Sequence, residues 1–439
     1  MLRRLFSLFL LGFIGVGPAA AQLKIQSWTL DNGARVLFVE SHAIPVLDVS
    51  VEFDAGDRRD PQGKSGLASL TNAMLARGVR AADGEPALTE AAISDEFADI
   101  AARQGTSPGM DRAGLTLRTL AAPTERKAAV ELMARVLAQP SFPEGLLARD
   151  KARTIANLKE EMTQPEAIAS KALWAAMYGT HPYGRHPTPE SITGLVRADL
   201  VNFHREHYVA NRAVVAMIGA VSREQADEIA RELTRRLPQG QPLPPLPEVV
   251  WHEGREEWIA HPATQSHVLL GMPAIRRGDP DYFPLLVGNY TLGGGGFVSR
   301  LMYEIREKRG LAYSVYSYIN PLAQPGPFEA GLQTQREQVG PALDVVRATI
   351  SNFLANGPTA QELQAAKDNL IGGFALRIDN NRKILDNIAM IGFYGLPLDY
   401  LDTWTENVDR VSVEDVRQAF KRHIDLKGLS TVVVAGARP

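Results

Sequence analysis

Gly293-Gly-Gly-Gly-Phe-Val-Ser-Arg-Leu-Met-Tyr-Glu-Ile-Arg-Glu-Lys-Arg-Gly-Leu-Ala-Tyr-Ser-Val315 is the most informative stretch of this 439-residue chain. It predicts a loop, a helix and a strand in succession. Four successive glycines lose much conformational entropy on folding, so they predict a loop. Leu301 and Ile305 lie one helical turn apart and predict an inward-facing stripe on an otherwise charged helix. Gly310 is the residue type that commonly ends a helix.

The residues after Gly310 predict a tyrosine-rich strand. Alternation divides its side chains into two faces, one with Tyr313, Val315 and Ser317 and the other with Tyr316 and Tyr318. Arg306 taken alone would belong to the solvated face of the preceding helix. The seven-residue step from Arg306 to Tyr313 crosses the end of that helix, which can bring both polar tips to one cleft.

This segment resembles the second-domain signature of the M16 metallopeptidases, the family of pitrilysin, insulinase and mitochondrial processing peptidase. The resemblance extends over essentially the whole chain after its first 21 residues. It implies that Tyr313 donates a hydrogen bond to the developing oxyanion and that Arg306 holds substrate carbonyls through its guanidinium. These two are the predicted catalytic residues.

The glycine run has two interpretations. The resemblance to processing-peptidase subunits implies a mobile lip over the cleft, with substrate-binding residues at Gly293, Gly294, Gly295 and Gly296. The alternative is a plain turn at the N-terminus of a helix. A nucleotide loop is not predicted, because no G-K-[ST] follows the glycines and no Rossmann pattern surrounds them.

The zinc half of an M16 site is degenerate in this sequence. The family carries H-x-x-E-H on an early helix, and the corresponding run here is Gly66-Leu-Ala-Ser-Leu-Thr-Asn-Ala-Met-Leu75. Ser69, Asn72 and Ala73 occupy the positions of the first His, the Glu and the second His. Helical periodicity places Leu67, Leu70, Thr71 and Met74 on the core stripe and puts Ser69, Asn72, Ala73 and Ala76 on another face.

Glu161 matches the family's third ligand, a glutamate on a later helix. One carboxylate cannot hold zinc alone, since zinc requires three or more His, Cys or carboxylate ligands. The simpler interpretation of Glu161 is a solvated helix face. We therefore predict no metal in this chain and expect Zn²⁺ on a partner subunit.

The other histidines do not replace the lost ligands. His204 and His207 are spaced i and i+3, without the H-x-x-E-H order, on a helix repeated near His423, which predicts a surface face. His181 and His186 flank a turn marked by glycine and proline. We predict a metal role for none of them.

The chain is organised as a signal segment and two similar halves. Residues 1–21 have Arg3 and Arg4, an apolar run and Ala19-Ala-Ala21, the pattern of a secretory signal, so the mature chain is predicted to start at Gln22. Five prolines within 238–247 mark a linker, assigned to 238–250. It separates an N-terminal domain, 22–237, from a C-terminal domain, 251–439. Similar sequences end both halves, which predicts duplication of one α+β domain. The resemblance to the M16 family implies that the paired domains form half of a clam.

The expected elements follow from periodicity and from glycine and proline positions. Strands are predicted at about 28–40, 47–53, 213–220, 267–272 and 431–435. Helices are predicted at about 64–77, 89–103, 124–138, 143–178, 197–207, 280–292, 340–355, 359–377 and 413–423.

Composition excludes several classes of protein. The chain has no cysteine, hence no disulfides and no thiol ligands. It has 47 Lys and Arg against 50 Asp and Glu, and loss of Arg3 and Arg4 makes the balance about −5, which does not indicate nucleic-acid binding. No later apolar run exceeds that of the signal, so no membrane association is expected after cleavage. The product is predicted to be periplasmic or secreted.

These observations predict the non-zinc subunit of a two-chain M16 peptidase, inactive alone. A partner with H-x-x-E-H would supply the metal, and unfolded peptides would bind by strand addition to an exposed sheet edge. The alternative is a non-catalytic scaffold or peptide-binding protein, like the M16-like core subunits of respiratory complexes. An independent enzyme with another metal site lacks candidate ligands. The sequence leaves open whether the chain forms a heterodimer or a homodimer.

Overall fold

A computed structural model describes residues 23–82 and 84–436. The predicted signal segment, 1–21, and the predicted start at Gln22 lie outside these residues. Within the described ranges, no helix has both the length and the apolar character that a membrane span needs.

The strands and helices of the described chain alternate in two similar series. The strands are β1 (Gln26–Thr29), β2 (Arg35–Glu40), β3 (Val46–Phe53), β4 (Gly78–Val79), β5 (Leu88–Thr89), β6 (Arg103–Thr106), β7 (Ala113–Leu120), β8 (Val214–Gly219), β9 (Glu256–Ala260), β10 (Ser266–Ile275), β11 (Ala312–Ile319), β12 (Gly326–Thr334) and β13 (Ser430–Ala435). The α-helices are α1 (Leu67–Met74), α2 (Glu90–Asp99), α3 (Pro123–Ala138), α4 (Glu144–Glu161), α5 (Pro165–Tyr178), α6 (Pro189–Gly194), α7 (Arg197–His207), α8 (Arg223–Thr234), α9 (Tyr282–Asn289), α10 (Val339–Asn356), α11 (Ala360–Gly372), α12 (Asn381–Tyr394), α13 (Trp404–Arg410) and α14 (Val413–His423).

Two large sheets share one topology. The first has the order β1-β2-β8-β3-β7-β6 and the second β11-β12-β10-β13-β9. Without β1, the orders match strand for strand: β2, β8, β3, β7 and β6 correspond to β9, β13, β10, β12 and β11. The β2–β8 and β9–β13 pairs are parallel, and every other pair in these series is antiparallel. The predicted α+β fold with two similar halves is confirmed.

Each half sends one helix onto the sheet of the other half. The apolar stripe of α5, with Ala169, Leu173 and Met177, packs against second-sheet residues that include Leu269, Val432 and Val434. In return α12, with Ile384, Leu385 and Ile388, packs against first-sheet residues that include Val39, Ala216 and Ile218. The other face of each sheet packs on helices of its own half. The halves are therefore joined by exchanged helices as well as by the linker.

The exchanged helices account for two differences from the sequence prediction. The single helix predicted at 143–178 is two helices, because Pro165 has no N–H to continue α4 and its ring disfavours helical geometry at Gln164 (φ −100°, ψ 118°). No element was predicted between 378 and 412, where α12 and α13 lie. A signal for α12 was present: the Asn380 side chain caps its start, and Gly395 ends it in a left-handed conformation.

The linker lies against the first half and is not a free spacer. Arg59 Nη1 donates to the Pro244 carbonyl (2.8 Å), Asn211 Nδ2 donates to that of Gly240 (2.9 Å), and His181 Nε2 lies 3.1 Å from that of Pro247. These bonds hold residues that form no helix or strand, as the five prolines predicted.

A buried carboxylate joins the two halves beside the linker. Asp111 accepts hydrogen bonds from Arg58 Nη1 (2.7 Å) and the Tyr183 hydroxyl (2.6 Å), both in the first half. It also accepts from the Tyr394 hydroxyl (2.7 Å) and the Ala323 amide (2.8 Å), both in the second half. Four donors from four separate segments therefore meet at one side chain.

Candidate functional site

The 293–315 segment is wound irregularly around its glycines. The last turn of α9 continues as a π-helix over Tyr290–Gly294, and a second π-helix covers Met302–Glu307. The wide turns are closed by i→i−5 bonds, from the Gly295 amide to Tyr290 (2.8 Å) and from the Lys308 amide to Tyr303 (2.9 Å). Gly310, in a left-handed conformation (φ 62°), ends the second helix just before β11. π-helical turns are rare in proteins, and those that do occur are often found at functional sites.

The structure brings Arg306 and Tyr313 together. The guanidinium carbon of Arg306 lies 4.4 Å from the centroid of the Tyr313 ring, within the range of a cation–π contact. The same carbon lies 4.8 Å from the Phe297 ring. Tyr313 is 78% exposed, so its hydroxyl is free to meet a ligand. The geometry agrees with the predicted proximity, and the catalytic roles stay a prediction.

The predicted alternation of β11 is wrong at Tyr313. The pairing with β12 shifts between Ala312 and Ser314, so Tyr313 is the extra residue of a β-bulge. The bulge turns Tyr313 out to solvent, whereas Val315 and Ser317 are buried. Bulges re-aim single side chains at sheet edges, and β11 is an edge strand of the second sheet.

Phe297 is a residue of this site that the sequence prediction did not identify. It is 63% exposed although it is aromatic, and it follows directly after the glycine run. An apolar Phe-Val pair between a glycine loop and a charged helix was the available signal. That pattern also fits a buried staple at the start of a helix, and only the structure distinguishes the two.

Two glycines of the run are needed because other atoms approach their backbone closely, and one is needed for its positive φ. A Cβ on Gly293 would lie 2.4 Å from Ser317 Oγ, and one on Gly295 would lie 2.7 Å from the Tyr290 carbonyl oxygen. Gly296 has open space around it but a left-handed backbone (φ 61°), which other residues rarely adopt. Gly293 is buried, whereas Gly294 and Gly296 are exposed and accessible to a ligand.

The other face of β11 carries a pair of stacked tyrosines. Tyr316 and Tyr318 share a face, as predicted, with ring centroids 6.1 Å apart and planes 8° apart. Burial and the neighbouring Glu329 carboxyl raise the pKa of Tyr316 to about 12 and also raise that of Tyr318. Both phenols therefore stay protonated at neutral pH and can only donate or accept hydrogen bonds.

The helix that would hold zinc is built into the core. The predicted stripe of α1, Leu67, Leu70, Thr71 and Met74, is buried. Asn72, predicted on another face, is also fully buried. Its amide donates to the Gly114 carbonyl (2.8 Å) and the Tyr208 hydroxyl (3.2 Å). Ser69 donates to Asp57 (2.6 Å), and Ala73 offers no ligand atom. These side chains do not fit a zinc ion.

The carboxylates near α1 serve the helix itself. Asp60 accepts the amides of Gly66 (2.6 Å) and Ala68 (2.7 Å) at the start of α1. Burial and the neighbouring Asp57 raise the pKa of Asp60 to about 7. Glu161 forms an ion pair with Lys171 (2.7 Å) at a partly exposed position, as expected of a solvated helix face.

The histidines do not form a zinc site. His204 and His207 are buried, which contradicts the predicted surface face, because their rings bond the carbonyls of Leu137 (2.7 Å) and Asp54 (2.9 Å). Burial lowers the pKa of His204 to about 4 and also lowers that of His207. Within residues 23–82 and 84–436, one group, Asp279, Asp281 and His423, has metal-ligand spacing. Arg422 already neutralises its Asp281 (2.7 Å).

We expect the purified chain to hold no stoichiometric zinc, because Ser69, Asn72 and Ala73 cannot replace the ligands of H-x-x-E-H. Elemental analysis should find far less than one zinc per chain. A chelator should leave the melting temperature unchanged, since no metal binding is linked to folding. About one zinc per chain that is lost in Glu161→Ala would contradict this interpretation.

Comparison with known proteins shows which family the chain resembles. Residues 194–370 match the family model described as the peptidase M16 inactive domain. A Helicobacter pylori protein named non-peptidase homolog YmxG is 26% identical over 412 residues, 92% of each chain. An uncharacterized zinc protease of Mycobacterium bovis is 28% identical over 417 residues, 93% of this chain and 92% of that one.

A solved structure extends the match over both halves. The crystal structure of a peptidase M16 inactive domain from Pseudomonas fluorescens has a TM-score of 0.88 and 36% identity, and the match covers 94% of this chain and 98% of that one. The chain belongs to the M16 peptidase family.

Proposed function

We propose that this chain is the non-zinc subunit of a heterodimeric M16 peptidase. The observation that carries the proposal is the contact of Arg306 with the exposed Tyr313. No hydrogen bond or ion pair to the Arg306 side chain is found in the described part of the chain. An arginine without a carboxylate partner, beside an exposed phenol, has donors available for a substrate, whereas α1 has no metal ligands to offer.

In the proposed complex the zinc belongs to a partner that carries H-x-x-E-H. Tyr313 of this chain donates its hydroxyl hydrogen to the oxygen of the attacked carbonyl, where negative charge develops. The guanidinium of Arg306 donates to backbone carbonyls of the peptide and fixes its position. The exposed Gly294 and Gly296 line the approach to this pair and contact the substrate.

Unfolded peptides are the proposed substrates. The strand that contains Tyr313, β11, is at the edge of the second sheet and has one unpaired side. An extended peptide could add to that side by main-chain hydrogen bonds, which bind without regard to sequence. Export through residues 1–21 would place this reaction in the periplasm or outside the cell.

Reconstitution tests the proposal. The chain is produced with an H-x-x-E-H-bearing M16 chain of the same organism, and hydrolysis of a quenched fluorescent peptide is measured for each chain and for the mixture. We expect activity only in the mixture, together with a heterodimer in size-exclusion chromatography with light scattering. A partner with the Glu of H-x-x-E-H changed to Gln is the matched control. Mixtures that neither associate nor hydrolyse peptide would contradict the proposal.

The second candidate is a non-catalytic scaffold or peptide-binding protein. The name of the Helicobacter pylori relative, a non-peptidase homolog, favours it. This candidate predicts association with a partner, or a homodimer, without a gain in hydrolysis. Peptide binding that does not depend on Arg306 would also favour it.

A further inference from the structure

We propose that Phe297 is a positioning residue that orients Arg306 for the substrate. This inference rests on the proposed function and extends the half-site from two residues to three. The Arg306 guanidinium carbon lies 4.8 Å from the Phe297 ring centroid and 4.4 Å from the Tyr313 ring centroid. Both distances are within the roughly 6 Å range of cation–π attraction.

The two ring contacts can order the Arg306 side chain, which has no ion-pair partner among the described residues. A long side chain on a partly exposed helix samples many rotamers, and in the described residues no carboxylate or carbonyl holds Arg306 in one of them. Stacking uses the flat faces of the guanidinium and leaves the N–H donors at its edge. Phe297 and Tyr313 can therefore order Arg306 without occupying the donors that a substrate needs.

The local backbone explains how Phe297 reaches this position. Gly293 lets the loop pass close to Ser317, where a Cβ would not fit, and Gly296 turns the chain with its positive φ immediately before Phe297. Ser299 then closes the turn, since its amide (3.0 Å) and hydroxyl (2.7 Å) both donate to the Gly296 carbonyl. The glycine run thus places the Phe297 ring beside Arg306. This is a role of the run in addition to contact with substrate.

Phe297 could instead be one member of an apolar surface. Its neighbour Val298 is 68% exposed, so an apolar patch used for subunit contact would need both residues. An aliphatic side chain cannot stack through π electrons, which makes Val298→Ala the matched control. Phe297→Leu keeps an apolar side chain of similar size and removes the ring, whereas Phe297→Tyr keeps the ring.

The first test needs no partner subunit. The full chain is labelled with ¹⁵N-arginine, and the Arg306 Nε–Hε signal is assigned by its loss in Arg306→Lys. Ring faces shield the protons above them, so we expect Phe297→Ala and Phe297→Leu to move this signal to lower field. Phe297→Tyr and Val298→Ala should leave it near the wild-type position. A signal that does not move in Phe297→Ala would overturn the inference.

The second test uses the reconstituted complex. Because Phe297 acts through substrate positioning, Phe297→Ala should raise KM about fivefold with kcat nearly unchanged, as expected for loss of an exposed cation–π contact. Phe297→Leu should behave like Phe297→Ala, and Phe297→Tyr should rescue. In an Arg306→Ala background Phe297→Ala should add no further loss.

The outcomes separate the two proposals. Wild-type KM in Phe297→Leu, or a rise in KM in Val298→Ala as large as that in Phe297→Ala, would show that Phe297 acts only as part of an apolar surface. Either result would overturn its positioning role. A wild-type complex without hydrolysis would remove the proposed function, and the arginine signal would then decide the positioning role alone.

Discussion

Replacing Tyr313 with phenylalanine should lower kcat of the reconstituted complex by on the order of 10²-fold, the cost of one oxyanion donor. KM should change little, because the donated bond strengthens only as charge develops on the attacked carbonyl. The substitution keeps the ring, so the contact with Arg306 at 4.4 Å should persist. Steady-state kinetics on a quenched peptide, together with size-exclusion chromatography of the complex, measures both effects.

Tyr303→Phe is the matched control for this prediction. Tyr303 is also an exposed tyrosine of the 293–315 segment, and loss of its hydroxyl should leave kcat unchanged. Arg306→Ala should raise KM and lower the rate, since it removes substrate positioning. Full activity in both Tyr313→Phe and Arg306→Ala would contradict the half-site and leave the scaffold candidate.

Local sequence signals predicted the duplicated architecture and most of the helices. The repeated ends of the two halves predicted the duplicated domain, because similar sequence implies similar local structure, and both sheets now show the same strand order. Helix α14 spans Val413–His423, as predicted, since Ser412 and Asp415 form a capping box at its start. Signals of this kind depend on neighbours in sequence and can be read without the fold.

Features that depend on distant residues were missed. His204 was assigned to a surface face. It is buried instead, and its ring bonds the carbonyl of Leu137, 67 residues away. The bulge at Tyr313 depends on register with β12, which alternation alone does not reveal. The exchanged helix α12 packs on strands more than 160 residues earlier in the chain. Apolar periodicity can predict such a helix but not the sheet that it covers.

Asn72 and the Arg306–Tyr313 pair relate differently to the stability of this fold. Asn72 is fully buried and bonded to Gly114 and Tyr208, so this side chain contributes to the core. Tyr313 is largely exposed, and Arg306 has contacts only with aromatic rings among the interactions described above. Replacing an exposed side chain such as that of Tyr313 usually changes stability by less than about 0.5 kcal/mol. The stability of this fold therefore depends little on the exposed Tyr313 side chain, and the catalytic role of the pair stays a prediction.

Asp111 links the two halves, because its carboxylate receives donors from both of them. Arg58 is its charged partner, and both side chains are almost completely buried. Burial opposes the charge of Arg58, yet the neighbouring Asp111 and Asp54 carboxylates raise its pKa. Burial and the Asp111 charge also raise the pKa values of Tyr183 and Tyr394, so both phenols remain donors at any physiological pH.

Asp111→Asn should lower the free energy of unfolding by about 3–5 kcal/mol, the cost of removing one partner of a buried ion pair. The amide would place its NH₂ group against existing donors and leave Arg58 with Asp54 as its remaining carboxylate partner. Urea unfolding followed by circular dichroism measures the change. Asp31→Asn, at an exposed ion pair with Arg231, is the matched control and should cost less than about 1 kcal/mol.

Tyr394→Phe should destabilise the wild type by about 1–3 kcal/mol and the Asp111→Asn variant much less, because the charged acceptor is already gone. Equal effects of Tyr394→Phe in both backgrounds would show that Asp111 does not join the halves through Tyr394.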